Sequence, residues 1–102
     1  MLNKFEVFQI AKLFYWECKD IVLPAYLKDQ LLRASSSIAL NIAEGSGKKT
    51  PNDQSKYYSI ALGSLRECQA IIEIEKIENP VMIEYADRLG AILFTLTKKS
   101  YR

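Results

Sequence analysis

Between Ser37 and Thr50 the chain reads SIALNIAEGSGKKT, and this stretch gathers most of the groups that could do chemistry. Ser37, Asn41 and Glu44 are spaced i, i+4 and i+7, so on a helix they form one polar line beside Ile38 and Ile42. Three uses are open to such a line. The preferred one is structural: Asn41 bonds a backbone or tyrosine group across a hairpin, and Glu44 accepts donors at the start of the next helix. The second is a ligand or catalytic site around Glu44 and the SGKK turn. The third is a role in subunit contacts, as a buried asparagine fixes register in coiled coils. Lys48 and Lys49, which close the stretch, suit phosphate contact, and Arg33, Lys56 and Arg66 belong to the same predicted hairpin. The commoner state of two turn lysines is simple solvation.

Absent residues exclude much else. The chain has no histidine, so neither a Ser-His-Asp triad nor a Cys-His pair can be built, and the carboxylate-histidine di-iron site of some bundles is excluded. Cys18 and Cys68 are expected as reduced core residues. Two cysteines without histidine do not make a zinc site. GSGKKT lacks the phosphate-loop spacing and follows no strand. No metal, cofactor or enzymatic activity is expected.

The elements that must position these groups are helices. The 102 residues suggest one domain, 1–102. A chain of this size buries roughly 60–70% of its unfolded surface, enough for one core. With 49% hydrophobic and 25% charged residues the composition is that of an ordinary soluble protein. No apolar run approaches the ~20 residues that cross a bilayer. The opening MLNKFEVFQIAK is interrupted by charges and is not read as a signal peptide, so a cytoplasmic location is expected. The net charge of +2 is uneven: residues 28–66 hold six basic and three acidic groups, the only segment with a clear excess.

Apolar residues recur at three- and four-residue steps throughout. A first helix is expected from Asn3 to Val22, with Val7, Ile10, Ala11, Phe14, Cys18 and Ile21 inward. Phe5, Phe8, Leu13, Tyr15 and Trp16 lie off that stripe, more apolar surface than one bundle face uses. Pro24 forces a break. A second helix is expected from Ala25 to Glu44, with Leu27, Leu31, Ala34, Ile38 and Ile42 inward and Gly45 following it as a residue tolerant of positive φ. Thr50 caps a third helix, with Pro51 at its first position and Asp53 in its first turn. Its inward stripe is Tyr57, Ala61, Leu65, Cys68 and Ile72. Asn79 and Pro80 repeat the signal for a fourth helix from Val81 to Lys98, with Tyr85, Leu89, Ile92 and Leu96 inward and Lys98 and Lys99 at its negative end. Short connections make sequential helices antiparallel, so the expected fold is all-α, an up-down-up-down four-helix bundle. Ala34, Ser37, Ala61, Gly63 and Ser64 are expected to form a thin layer where the second and third helices approach closely, with Arg33 beside it and paired with a carboxylate such as Glu67. Asn41 is expected to be buried opposite Tyr57 and Tyr58.

The run QLLRASSSIALNIAEGSGKKT, Gln30 to Thr50, resembles the bacterial four-helix-bundle proteins encoded by intervening sequences in large-subunit ribosomal RNA genes. Gln30, Arg33, Ala34, Ser37, Ile38, Asn41, Ile42, Ala43, Glu44, Gly45 and Gly47 match that pattern, and IALGSLRE supplies a second match through Gly63, Ser64 and Glu67. Ala39 stands where proline is frequent in the family, and the link before Gln30 is short. The resemblance implies a bundle that often assembles as a homopentameric ring. It also implies similarity to the accessory variability proteins of diversity-generating retroelements, which bind nucleic acid and work with a reverse transcriptase.

Two functions follow as expectations. One is a non-enzymatic oligomer that binds nucleic acid, RNA before DNA, through Lys48, Lys49, Lys56, Arg33 and Arg66, with the first helix contributing to self-assembly. The alternative is a scaffold module whose partner is another protein.

Overall fold

The computed structural model of the chain describes residues 4–100, with side chains from 5 to 98. The expected start at Asn3 and the side chain of Lys99 lie outside the described residues. Four helices account for most of the chain: α1 Lys4–Lys19, α2 Ala25–Ser46, α3 Pro51–Ile74 and α4 Pro80–Ser100. Among the described residues there is no strand.

The ends follow from local chemistry. α1 stops three residues before the expected Val22, and the link to α2 is tied by Lys28, whose ammonium donates to the carbonyls of Lys19 and Ile21. Orphan carbonyls beyond a helix end thereby find a donor. Pro24 precedes α2 with an extended ψ of 146°. Thr50 caps α3 as expected, its hydroxyl accepting from the Asp53 N–H at 3.2 Å, with Pro51 next in line. Asn79 does the same for α4, accepting from the Met82 N–H at 3.0 Å. Its carboxamide also donates to Glu17 of α1 at 3.1 Å, so this cap fastens two helices. α3 ends in a way the sequence does not announce. Lys76 takes a left-handed φ of 54°, and the Ile77 N–H reaches back to the Ile72 carbonyl at 3.0 Å, the hydrogen bond that usually accompanies glycine at this position.

Each helix runs alongside two others, α1 with α2, α2 with α3, α3 with α4 and α4 with α1, and among the described residues the backbones of the diagonal pairs stay apart. The core runs between all four, with Phe14 and Cys18 from α1, Leu31 and Ile38 from α2, Leu65 from α3 and Leu89 from α4 fully buried. Two inward faces differ from expectation. α4 buries Met82, Ala86 and Leu93 with the expected Leu89 and Ile92, and leaves Tyr85 and Leu96 half-buried at the edge of the core. In α3 the choice falls between neighbouring tyrosines. Tyr58, not Tyr57, points inward and is fully buried. The two are about 100° apart on a helix and equally apolar in body, so periodicity alone does not choose between them. Among the described residues the Tyr58 hydroxyl has no hydrogen-bond partner, and burial raises its pKa.

Cys18 and Cys68 are both buried free thiols. Burial lifts Cys18 to about 12, against smaller opposing effects of a hydrogen bond with Ser35 and of Lys28. Burial, with Cys18 and Glu67 adding to it, lifts Cys68 further. Neither is a thiolate near neutral pH, so neither is a nucleophile there. Of the described residues, no group of three His, Cys, Asp or Glu side chains is placed to hold a metal ion. No helix among them is long and apolar enough to cross a membrane.

Candidate nucleic-acid interface

The polar line on α2 faces α3 but works differently from expectation. Asn41 is half-buried and its carboxamide donates within its own helix, to the Ser37 carbonyl at 2.9 Å and the Ser37 hydroxyl at 3.0 Å. The crossing to α3 is made one step further on, by the Ser37 and Ser64 hydroxyls 2.9 Å apart. Asn41 therefore orients the hydroxyl that bridges the helices and does not itself bridge to a tyrosine. Glu44 does not reach the start of α3. It is exposed and pairs with Lys48 at 3.1 Å.

The motif glycines do not serve as expected. Gly45 was expected just past the helix at positive φ. It lies inside α2, is buried, and no glycine has positive φ. A Cβ there would stand 2.9 Å from the Tyr58 ring and 3.1 Å from Tyr57 Cβ. Closeness of the two helices, not backbone handedness, requires glycine at this point. Gly47 ends the helix with a right-handed φ of −89°. Gly63, expected in the thin layer between helices, is exposed, and nothing lies within 4 Å of a Cβ built there. No contact in the structure explains it.

The basic residues do not form one surface. Lys48 lies over the Tyr57 ring, 5.1 Å from its centroid, and the hydrogen bond it donates to Glu44 raises its pKa. It is less exposed than expected, and its carbonyl accepts from Gln54 at 3.0 Å, fixing the turn. Lys49 and Lys56 are exposed at the same corner. Arg33 is not paired with Glu67. It lies roughly four turns down α2 from the corner, is 80% exposed and pairs with Asp29 at 3.0 Å. Arg66 bonds Gln69 at 2.8 Å on the side of α3 that faces α4. Gln30 and Glu67 are exposed. The corner thus brings together Lys48, Lys49 and Lys56, with Glu44 and Tyr57, and leaves both arginines elsewhere.

Sequence reading missed two buried serines, Ser35 and Ser55. Ser35 bonds the Leu32 carbonyl at 3.3 Å, and Ser55 donates to the Thr97 carbonyl of α4 at 3.4 Å. Both flank apolar stripes, and their only sequence signal is that position.

Residues 4–100 match the 23S rRNA-intervening sequence protein family. The chain belongs to that family. The match runs from the first described residue of α1 to the end of α4, so it covers all four helices. Neither the curated proteins nor the solved structures compared with the chain include a match.

Proposed function

We propose that this family member is a non-enzymatic, cytoplasmic, oligomeric protein that binds nucleic acid, RNA before DNA, through the corner between α2 and α3. The observation that carries this reading is the corner itself. Three lysines meet one carboxylate, Glu44, there, and one lysine is fixed over an aromatic ring. Fixed and free cations beside an aromatic suit a phosphodiester chain with unstacked bases.

The proposed architecture is an antiparallel up-down-up-down bundle assembled as a ring, most simply a pentamer. Cross-helix pairs support the antiparallel order, because one residue number falls as the other rises. On α2 and α3 these are Ser37 with Ser64 and Gly45 with Tyr58; on α3 and α4, Ser55 with Thr97 and Arg66 with Gly90. Assembly matters for affinity. Five copies of a central segment with an excess of +3 would carry about +15, enough for multivalent phosphate contact.

A fluorescence-anisotropy titration of a labelled single-stranded RNA tests the reading. Affinity is expected to fall linearly with salt on a log-log scale, with a slope near −0.7 per phosphate contacted, and near −0.9 on duplex DNA. Lys49→Glu with Lys56→Glu should weaken binding equally for every sequence, more than Lys48→Glu, whose ammonium is already engaged by Glu44. No binding at low salt would overturn the proposal. The exposed aromatics of α1 would then favour the second reading, a scaffold that docks another protein, a reverse transcriptase among the options.

A further inference from the structure

Two surfaces lie outside the corner. The first is the outer side of α1, diametrically opposite the core positions. Phe5 is 69% exposed there and Trp16 53%. Lys12 stands between them, 5.6 Å from the Phe8 ring centroid and 5.7 Å from that of Trp16. Its ammonium meets rings and forms no salt bridge among the described residues. α1 thus presents aromatic side chains on the face away from its own core as well as toward it, more apolar surface than one bundle face uses.

The second is the groove between α3 and α4. It contains a hollow of about 390 Å³ bordered by Arg66, Asp87, Gly90 and Phe94, and a narrower one beside Ile83. Phe94 is 50% exposed and Ile83 39%. Asp87 stands between them and, among the described residues, forms no ion pair.

We propose that the outer stripe of α1 docks in the α3–α4 groove of a second copy of this chain. The two helices run antiparallel, with Trp16 against Ile83, Lys12 against Asp87 and Phe5 against Phe94. The spacing carries the assignment. Trp16 and Lys12 are four residues apart, as are Ile83 and Asp87; Lys12 and Phe5 are seven apart, as are Asp87 and Phe94. Both stripes span about three turns, some 16 Å, so all three pairs meet on one line. Size complements size as well. In this register the bulky Phe8 falls opposite Gly90 and Ala91, the small residues of the groove. Charge complements charge, since an ammonium and a carboxylate that each form no ion pair among the described residues of their own protomer would meet, which fixes register.

The two surfaces lie on different sides of one protomer, so the contact is heterologous. Each copy offers one stripe and one groove, and repetition of the contact closes a ring or continues as a filament. The inference rests on the oligomeric reading proposed above, and it names the contact surfaces that reading leaves open.

Native mass spectrometry of the full chain at micromolar concentration tests it. The parent is expected as an oligomer. Lys12→Asp and Asp87→Lys should each shift the population to monomer. The double variant, with both changes in one chain, should return the parent's mass. The positions are outside the core, so helical circular dichroism should be unchanged in all three. An oligomeric parent whose mass neither single change alters overturns the pairing and leaves oligomerisation standing. Singles that dissociate without rescue by the double variant overturn it too. A monomeric parent overturns both readings and leaves the α1 stripe to a different protein.

Discussion

The seams on either side of α3 are finished differently. Toward α2, small residues let the backbones approach until Gly45 lies under the Tyr58 ring, and the serine hydroxyls bond across the seam. Toward α4, the pair is joined at one end by Ser55 and Thr97 but elsewhere leaves a groove with a half-exposed Phe94 and a glycine floor. One helix thus makes a sealed joint and an unfinished one. Apolar side chains are exposed on the outer side of α1 and along the α4 groove, as they also are at Tyr26 and Leu40 of α2 and at Ile74 of α3, while the sealed seam carries the family motif and the basic corner.

The largest expected effect concerns the sealed interior. Cys18, Cys68 and Tyr58 have folded pKa values above their unfolded ones. Their neutral forms therefore contribute stability that is complete at lower pH and is lost as pH rises. For Cys18 the window runs from 9.0 to about 12, at about 1.4 kcal/mol per pH unit, or on the order of 4 kcal/mol in all. Urea melts across that window should show the midpoint falling, and less steeply in Cys18→Ala. A midpoint independent of pH would mean that the interior is open to water.

Next come the glycines. Gly45→Ala should cost roughly 1–3 kcal/mol, because its Cβ meets a ring at 2.9 Å that the packed core holds in place. At Gly90 the added Cβ meets Arg66 and Leu65 at an ordinary 3.5–3.6 Å, so Gly90→Ala should be neutral or stabilising. Equal losses at both would erase the distinction between the seams.

Asn41→Ala should cost about 0.5–1.5 kcal/mol, since it removes the donor that orients Ser37. Thermal melts of Asn41→Ala, Ser64→Ala and the double variant should be non-additive, because both changes act on one hydrogen-bonded chain. The smallest effect is a gain. Gly63→Ala, in open space inside α3, should stabilise by up to about 1 kcal/mol.

Much of this was legible in sequence because it is local. The inward stripes of α1 and α2 follow largely from 3.6-residue periodicity, as do Leu89 and Ile92 of α4 but not its buried Met82, Ala86 and Leu93, and Thr50-Pro51 and Asn79-Pro80 announce their helices through one side chain each. What was not legible depends on the neighbour across a seam. A glycine's purpose is set by what faces it, so Gly45 and Gly63 could not be told apart from within their own helices. Arg33 took the nearby Asp29 one turn away over the distant Glu67, as i, i+4 geometry favours. The end of α3 at Lys76 is hidden because a lysine occupies a conformation that glycine usually signals. The lysines of the corner were found by charge, but which of them is engaged by Glu44 was not.

The unfinished surfaces are proposed to face another copy of the chain. Trp16 is the only tryptophan and stands on one of them, so its fluorescence reports on the contact directly. At micromolar concentration the account predicts a blue-shifted emission that moves to the red on dilution, in step with the loss of oligomer, and that Asp87→Lys moves to the red without dilution. Emission of a solvent-exposed tryptophan at every concentration, unchanged by Asp87→Lys, would contradict it.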